Sequence, residues 1–95
     1  MYWYWNPFTK GLDVPTCLSI AHDSFGRLGL NVWLAPTNYV TVGAAKDGSV
    51  VVHVTCVPQS NGSSWIAVTA FSDNNNLAQT THNNVASAIQ NTDVM

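Results

Sequence analysis

Charge is what this chain has least of. Only 8 % of its 95 residues are Asp, Glu, Lys or Arg, against roughly 25 % in an average domain. Lys10, Arg27 and Lys46 are the only basic residues. Three scattered cations cannot neutralise a run of phosphates, which argues against a nucleic-acid partner. The formal net charge of −2 offers no attraction to anionic lipid. Long apolar runs are missing too. No stretch approaches the roughly 20 residues of a membrane-crossing helix, so no membrane span is expected. The N-terminus lacks the basic n-region and apolar h-region of a signal peptide.

Chemistry-bearing constellations are equally scarce. The carboxylates (Asp13, Asp23, Asp47, Asp73 and Asp93) stand at caps, turns and the tail, and none pairs with another for acid–base work. His22, His53 and His82 have no metal-ligand spacing. His22-Asp23-Ser24 contains the residue types of a triad, but consecutive helix positions fan out by about 100° each. That cluster reads as a solvated helix face. His53 and Cys56, three apart on a strand, point to opposite faces and cannot form a dyad. With no CxxC and no Gly-rich phosphate loop, neither a cofactor nor a metal is expected. Asn61-Gly62-Ser63 has the form of a glycosylation sequon and reads more simply as a turn.

What the chain has is β-branched and aromatic residues in two neighbouring runs, Val50 to Val57 and Trp65 to Phe71. The turn-forming PQSNGSS between them marks a β-hairpin with a long loop. Period two puts Val50, Val52, Val54 and Cys56 on one face, matched by Ile66, Val68 and Ala70. Two shorter runs, Asn31 to Ala35 and Tyr39 to Gly43, are expected to form a second hairpin through Pro36, Thr37 and Asn38. In that reading Val32, Leu34, Val40 and Val42 face inward, while Trp33, Tyr39 and Thr41 face outward.

Helical spacing flanks the strands. Asp13 can cap a helix with Pro15 in its first turn, and Val14, Cys17, Leu18, Ala21, Phe25 and Leu28 form one apolar stripe. Gly29 suits the C′ position, although Gly26 threatens to end the helix early. A second stripe of Leu77, Thr81, Val85 and Ile89 runs to about Gln90, with Ser72 or Asp73 as N-cap.

The expected fold is α+β, a two-layer sandwich of order α-β-β-β-β-α. Its sheet is a four-stranded antiparallel meander with both helices on one face. Residues 13–91 form the domain, residues 1–12 an aromatic N-terminal arm and residues 92–95 a C-terminal tail. The arm (Tyr2, Trp3, Tyr4, Trp5 and Phe8) has two readings. It is either a disordered tail or a sticky strand that covers apolar surface.

A Cys opening the first helix, the VHVTC strand, the WIAVTAFS strand and the closing helix resemble a group of small secreted bacterial domains of unknown function. The resemblance runs from Val14 to Ile89. It implies this fold and a secreted or periplasmic address, and it carries no activity or site.

Cys17 and Cys56 both face the helix–sheet interface, where a disulfide is geometrically plausible; the alternative is two separate buried thiols. The second sheet face holds Trp33, Tyr39, His53, Trp65 and Phe71 among β-branched residues, where a solvated face should be polar. The favoured function is a non-catalytic extracytoplasmic binding or interaction module working through that face. Its partner is expected to be a second copy, another protein, or a sugar or peptide ligand. The other reading is a small enzyme, or an enzyme-inhibitor or accessory subunit, with an unrecognised site. Ligand, pathway and oligomeric state are beyond the residue pattern.

Overall fold

The computed structural model describes residues 1–92. It is α+β, with seven elements in the order β1 (Tyr2–Lys10), α1 (Val14–Arg27), β2 (Asn31–Thr37), β3 (Val40–Ala44), β4 (Val50–Pro58), β5 (Ser64–Ser72) and α2 (Asn75–Gln90). The sheet has five antiparallel strands ordered β1-β5-β4-β3-β2, so the four-stranded meander is corrected by one strand. The N-terminal segment expected as an arm pairs with β5 along its whole length, from Tyr2 opposite Ser72 to Lys10 opposite Ser64. Strands two to five do form the meander. Of the tail expected over residues 92–95, residues 93–95, including Asp93, lie outside the described residues.

Both helices begin and end on local chemistry. The Asp13 carboxylate accepts from the Thr16 N–H at 2.9 Å, and this hydrogen bond holds its carboxyl below the usual carboxylate range. At the other end Gly29 has φ of 75°. Leu30 N–H donates to Phe25 O and Gly29 N–H to Gly26 O, the two bonds of a Schellman stop. Gly26 therefore does not end α1 early; its carbonyl serves the cap. For α2 the N-cap is Asn74, whose side chain accepts from Leu77 N–H at 3.0 Å. Ser72, expected there, instead accepts from Asn74 N–H and donates to Ser49 O.

The core lies between the helices and one sheet face. Cys17, Leu18, Ala21 and Phe25 of α1 and Val85, Ala86 and Ile89 of α2 meet Val50, Val52, Val54, Cys56, Ile66, Val68 and Ala70. α1 covers the β2–β3–β4 side and α2 the β5–β1 side. Ser24, expected on a solvated face, is buried with its hydroxyl donating to Ile20 O at 2.8 Å.

The parity of β3 departs from expectation. Thr41 is opposite Val54 and Gly43 opposite Val52, so these two face the helices. Val40, Val42 and Ala44 pair with Thr55, His53 and Val51 and take the other face. Phe25 gives the reason. A Cβ built on Gly43 would lie 2.8 Å from its ring carbons, so only glycine admits the ring there. The Thr41 hydroxyl, buried alongside, donates to Leu34 O at 2.8 Å. The turn falls at Asn38 and Tyr39, sharing only Asn38 with the Pro36–Asn38 stretch expected to form it. A register break between Val32 and Leu34 lets Val32 oppose Gly43 and Leu34 oppose Val42, on opposite faces.

β1 is held along α2 by its helix-facing side chains. Tyr4 donates its hydroxyl to Asn75 Oδ1 at 2.5 Å, Asn6 Oδ1 lies 3.0 Å from His82 Nε2, and Phe8 packs on the core. Lys10 then donates to the carbonyls of Ile89, Gln90 and Thr92 at 2.8, 2.6 and 2.7 Å. The last turn of α2 contains no basic residue of its own, and Lys10 supplies the positive charge its dipole favours. Replacing Lys10 by Met leaves those carbonyls without the cation and is expected to cost about 1–2 kcal/mol, read by urea unfolding.

Cys17 and Cys56 form a disulfide with Cα atoms 6.4 Å apart and a sequence separation of 39. It joins α1 to the central strand. In the chain-entropy model such a loop contributes about 4 kcal/mol, a large share of the roughly 5–15 kcal/mol of a typical domain. Unfolded, unreduced protein is expected to show no reactive thiol, and Cys17→Ala with Cys56→Ala to lower the melting temperature by more than ten degrees, roughly.

Candidate functional site: the open sheet face

The face away from the helices is built from alternate residues of all five strands. Cross-strand partners point the same way, so the register defines it. Trp3, Trp5, Pro7 and Thr9 of β1 stand opposite Phe71, Thr69, Ala67 and Trp65 of β5. Those in turn stand opposite Val51, His53, Thr55 and Val57 of β4. Ala44, Val42 and Val40 continue the face across β3. At the far edge, Trp33 and Leu34 fall in the irregular stretch against Val42.

Not one of these residues carries a formal charge. Lys10 is the only charged side chain in the sheet, and it points to the helix side. His53 is the face's only ionisable group. It lies near the middle of the central strand, between Val42 and Thr69. Its ring meets Phe71 edge-on, with centroids 5.5 Å apart.

The residues expected on this face divide. His53, Trp65 and Phe71 are gathered on adjacent strands β4 and β5. Trp33 is 59 % exposed at the β2 edge. Tyr39 is separated from them: it occupies the β2–β3 turn, and its carbonyl accepts from Cys56 N–H at 2.8 Å. Trp3 and Trp5, which belong to the arm read either as a disordered tail or as a cover for apolar surface, are 61 % and 53 % exposed and are part of the face. Their i, i+2 spacing places them on one parity, but Tyr4 and Phe8 are aromatic on the other, so the spacing alone does not say which parity is open. Val40, Val42 and Leu34 join them because β3 has the opposite parity from the one its hydrophobicity suggests.

Neither edge of the sheet invites another strand. β1 contains Pro7 and β2 contains Pro36, residues that donate nothing to a ladder. The breaks in β2 register disrupt that edge further.

Elsewhere the polar groups serve the fold. His82 is buried, with Nδ1 3.0 Å from Asn83 Oδ1 and Nε2 on Asn6. His22 and Asp23 lie side by side in solvent, 3.8 Å apart. Asn61 accepts from Ser63 N–H, closing the β4–β5 loop as a turn. Among the described residues, no group of three or more His, Cys, Asp or Glu side chains is placed to hold a metal ion, and no helix is long and apolar enough to cross a membrane. No family model matches this chain, and no curated protein matches it.

The exposures generate a sharp contrast in stability. Serine at Trp3, Trp5 or Trp33 is expected to change the unfolding free energy of the single chain by less than about 1 kcal/mol. Phe25→Ala, by contrast, is expected to cost about 3–5 kcal/mol. Chemical denaturation at low protein concentration measures both.

Proposed function

We propose that the protein is a non-catalytic binding module that works outside the cytoplasm through its open sheet face. The observation that carries this reading is a face spanning five strands with Trp3 and Trp5 exposed along one side and no formal charge on its strand residues. A solvated antiparallel face is ordinarily polar. Contiguous apolar surface of this extent marks an interaction site, and tryptophan is the residue most enriched where binding energy concentrates. The extracytoplasmic address rests on the buried disulfide, which persists in oxidising compartments and is rare in the cytosol.

His53 belongs to this surface as a contact residue. Its neighbours on the face are Val42, Thr69 and Phe71, none of which can relay a proton or act as a nucleophile activated by it.

The experiment compares wild type with Trp5→Ser and Trp65→Ser on a panel of immobilised peptides, oligosaccharides and the protein itself. Retention on one panel member is expected to weaken by about tenfold or more in the variants, with thermal unfolding close to wild type. A hydrolytic activity that His53→Gln abolishes while the fold stays intact would overturn the reading.

A further inference from the structure

Resting on the open face as a binding surface, we infer that its occupant is a second copy of this chain, packed sheet to sheet. The two copies would be related by a two-fold axis close to His53, which makes the pairing sensitive to pH. The result is a four-layer arrangement, helices outside and two sheets in the middle.

Area is the first argument. Five strands about 4.8 Å apart, the longest of nine residues at about 3.3 Å each, give a face of roughly 500–700 Å² before side-chain relief. A stable protein interface takes about 800 Å² from each partner, so the face is close to one interface in size. It is also larger than a single peptide or short sugar needs.

Composition is the second. Beside the tryptophans stand Val40, Val51, Val57 and Leu34, aliphatic side chains that stack on no sugar ring but pack well against their own kind, while Val42 and Ala44 are already buried within the single chain. Two-fold pairing places a surface against itself, so any charge near the axis would meet its own copy. No strand residue of this face is charged, and the Met1 amine and Asp73 carboxylate that adjoin its Val51–Phe71 end lie 3.9 Å apart and offset each other. With prolines in both edge strands, edge-to-edge pairing is not the alternative route.

His53 is the third. β4 is the central strand, and His53 lies near its midpoint and near the middle of the face. An axis through the middle of the face brings the two imidazoles together in an apolar layer. The groups that face each ring from its own sheet are Val42 on β3 and Thr69 and Phe71 on β5; none titrates and none is charged. Neutral rings can be buried there. Protonated rings would place two like charges in low dielectric with no counter-ion. The sign follows: the monomer takes up protons more readily than the dimer, so acidification favours dissociation.

The test is sedimentation equilibrium of the full chain at about pH 8 and about pH 5, the range over which histidine commonly titrates. The expected result is a dimer at the higher pH and a dissociation constant weakened by roughly tenfold or more at the lower. His53→Phe is expected to remain dimeric at both. Thr55→Lys, which adds a charge beside the axis, is expected to be a folded monomer at both. A wild-type monomer at every pH and concentration overturns the inference, as does a dimer indifferent to pH or to Thr55→Lys. If self-association is missing but a peptide or oligosaccharide is bound and lost with Trp65→Ser, only the choice of occupant falls. If neither occurs, the binding-face reading falls with it.

Discussion

Phe25 resting on Gly43 is the contact on which the character of both sheet faces depends. The ring is wholly buried and approaches the β3 backbone so closely that no Cβ fits beneath it. With Gly43 turned to the helices, period two sends Thr41 the same way and Val40, Val42 and Ala44 the other way. A slip of one residue would turn Val40 and Val42 towards the helices and Thr41 away from them, an exchange that hydrophobicity alone favours. It would also place a side chain into the Phe25 ring. Steric exclusion wins, because overpacking a core commonly costs more than burying one further aliphatic group returns. The open face therefore receives valines it would otherwise lack.

Much of this was legible in the residues. The Cys17–Cys56 pair follows from two independent periodicities, helical for Cys17 and alternating for Cys56, that converge on one interface. The Asp13 cap and the Gly29 stop follow from local backbone chemistry and need no tertiary information. β3 was not legible, since its alternation points the wrong way until Phe25 is placed against it. β1 was not legible for a different reason: aromatic residues occupy both parities, and only contacts with α2 tell them apart. Tyr4, Asn6 and Lys10 find Asn75, His82 and the end of α2, more than 70 residues away in sequence. The candidate site suffered from both gaps. Its centre at His53, Trp65 and Phe71 lies on the hairpin that alternation reads well. Its rims, Trp3 and Trp5 on one side and Leu34 on the other, lie where alternation fails.

The N-terminal strand also explains how a chain with so few charges uses those it has. Lys10 is placed where three backbone carbonyls converge, an arrangement in which an ammonium is worth more than in a surface ion pair. Asp13 caps α1, and Asp47 accepts from Ser49 N–H in the β3–β4 turn, which lowers its carboxyl below the ordinary range. Lys10, Asp13 and Asp47 thus serve helix ends and a turn. No strand residue of the open face is charged, and the absence that first distinguishes the sequence is also what keeps that face apolar.

A sheet covered on one side only is a narrow solution to folding 95 residues. The covered side must supply nearly all the stabilising burial, and the helix–sheet link through Cys17 and Cys56 reinforces that side by restricting the unfolded chain. The uncovered side contributes less, although Val42 and Ala44 are buried on it. Its outermost tryptophans could be polar without loss to the core, since more than half of each stays in water. Exposed tryptophan and leucine raise the risk of indiscriminate association, and the edge prolines reduce that risk only in the plane of the sheet. A chain that blocks its edges yet leaves its face apolar restricts association to one geometry. That restriction is the physical ground on which the face, and not an edge, is proposed as the recognition surface.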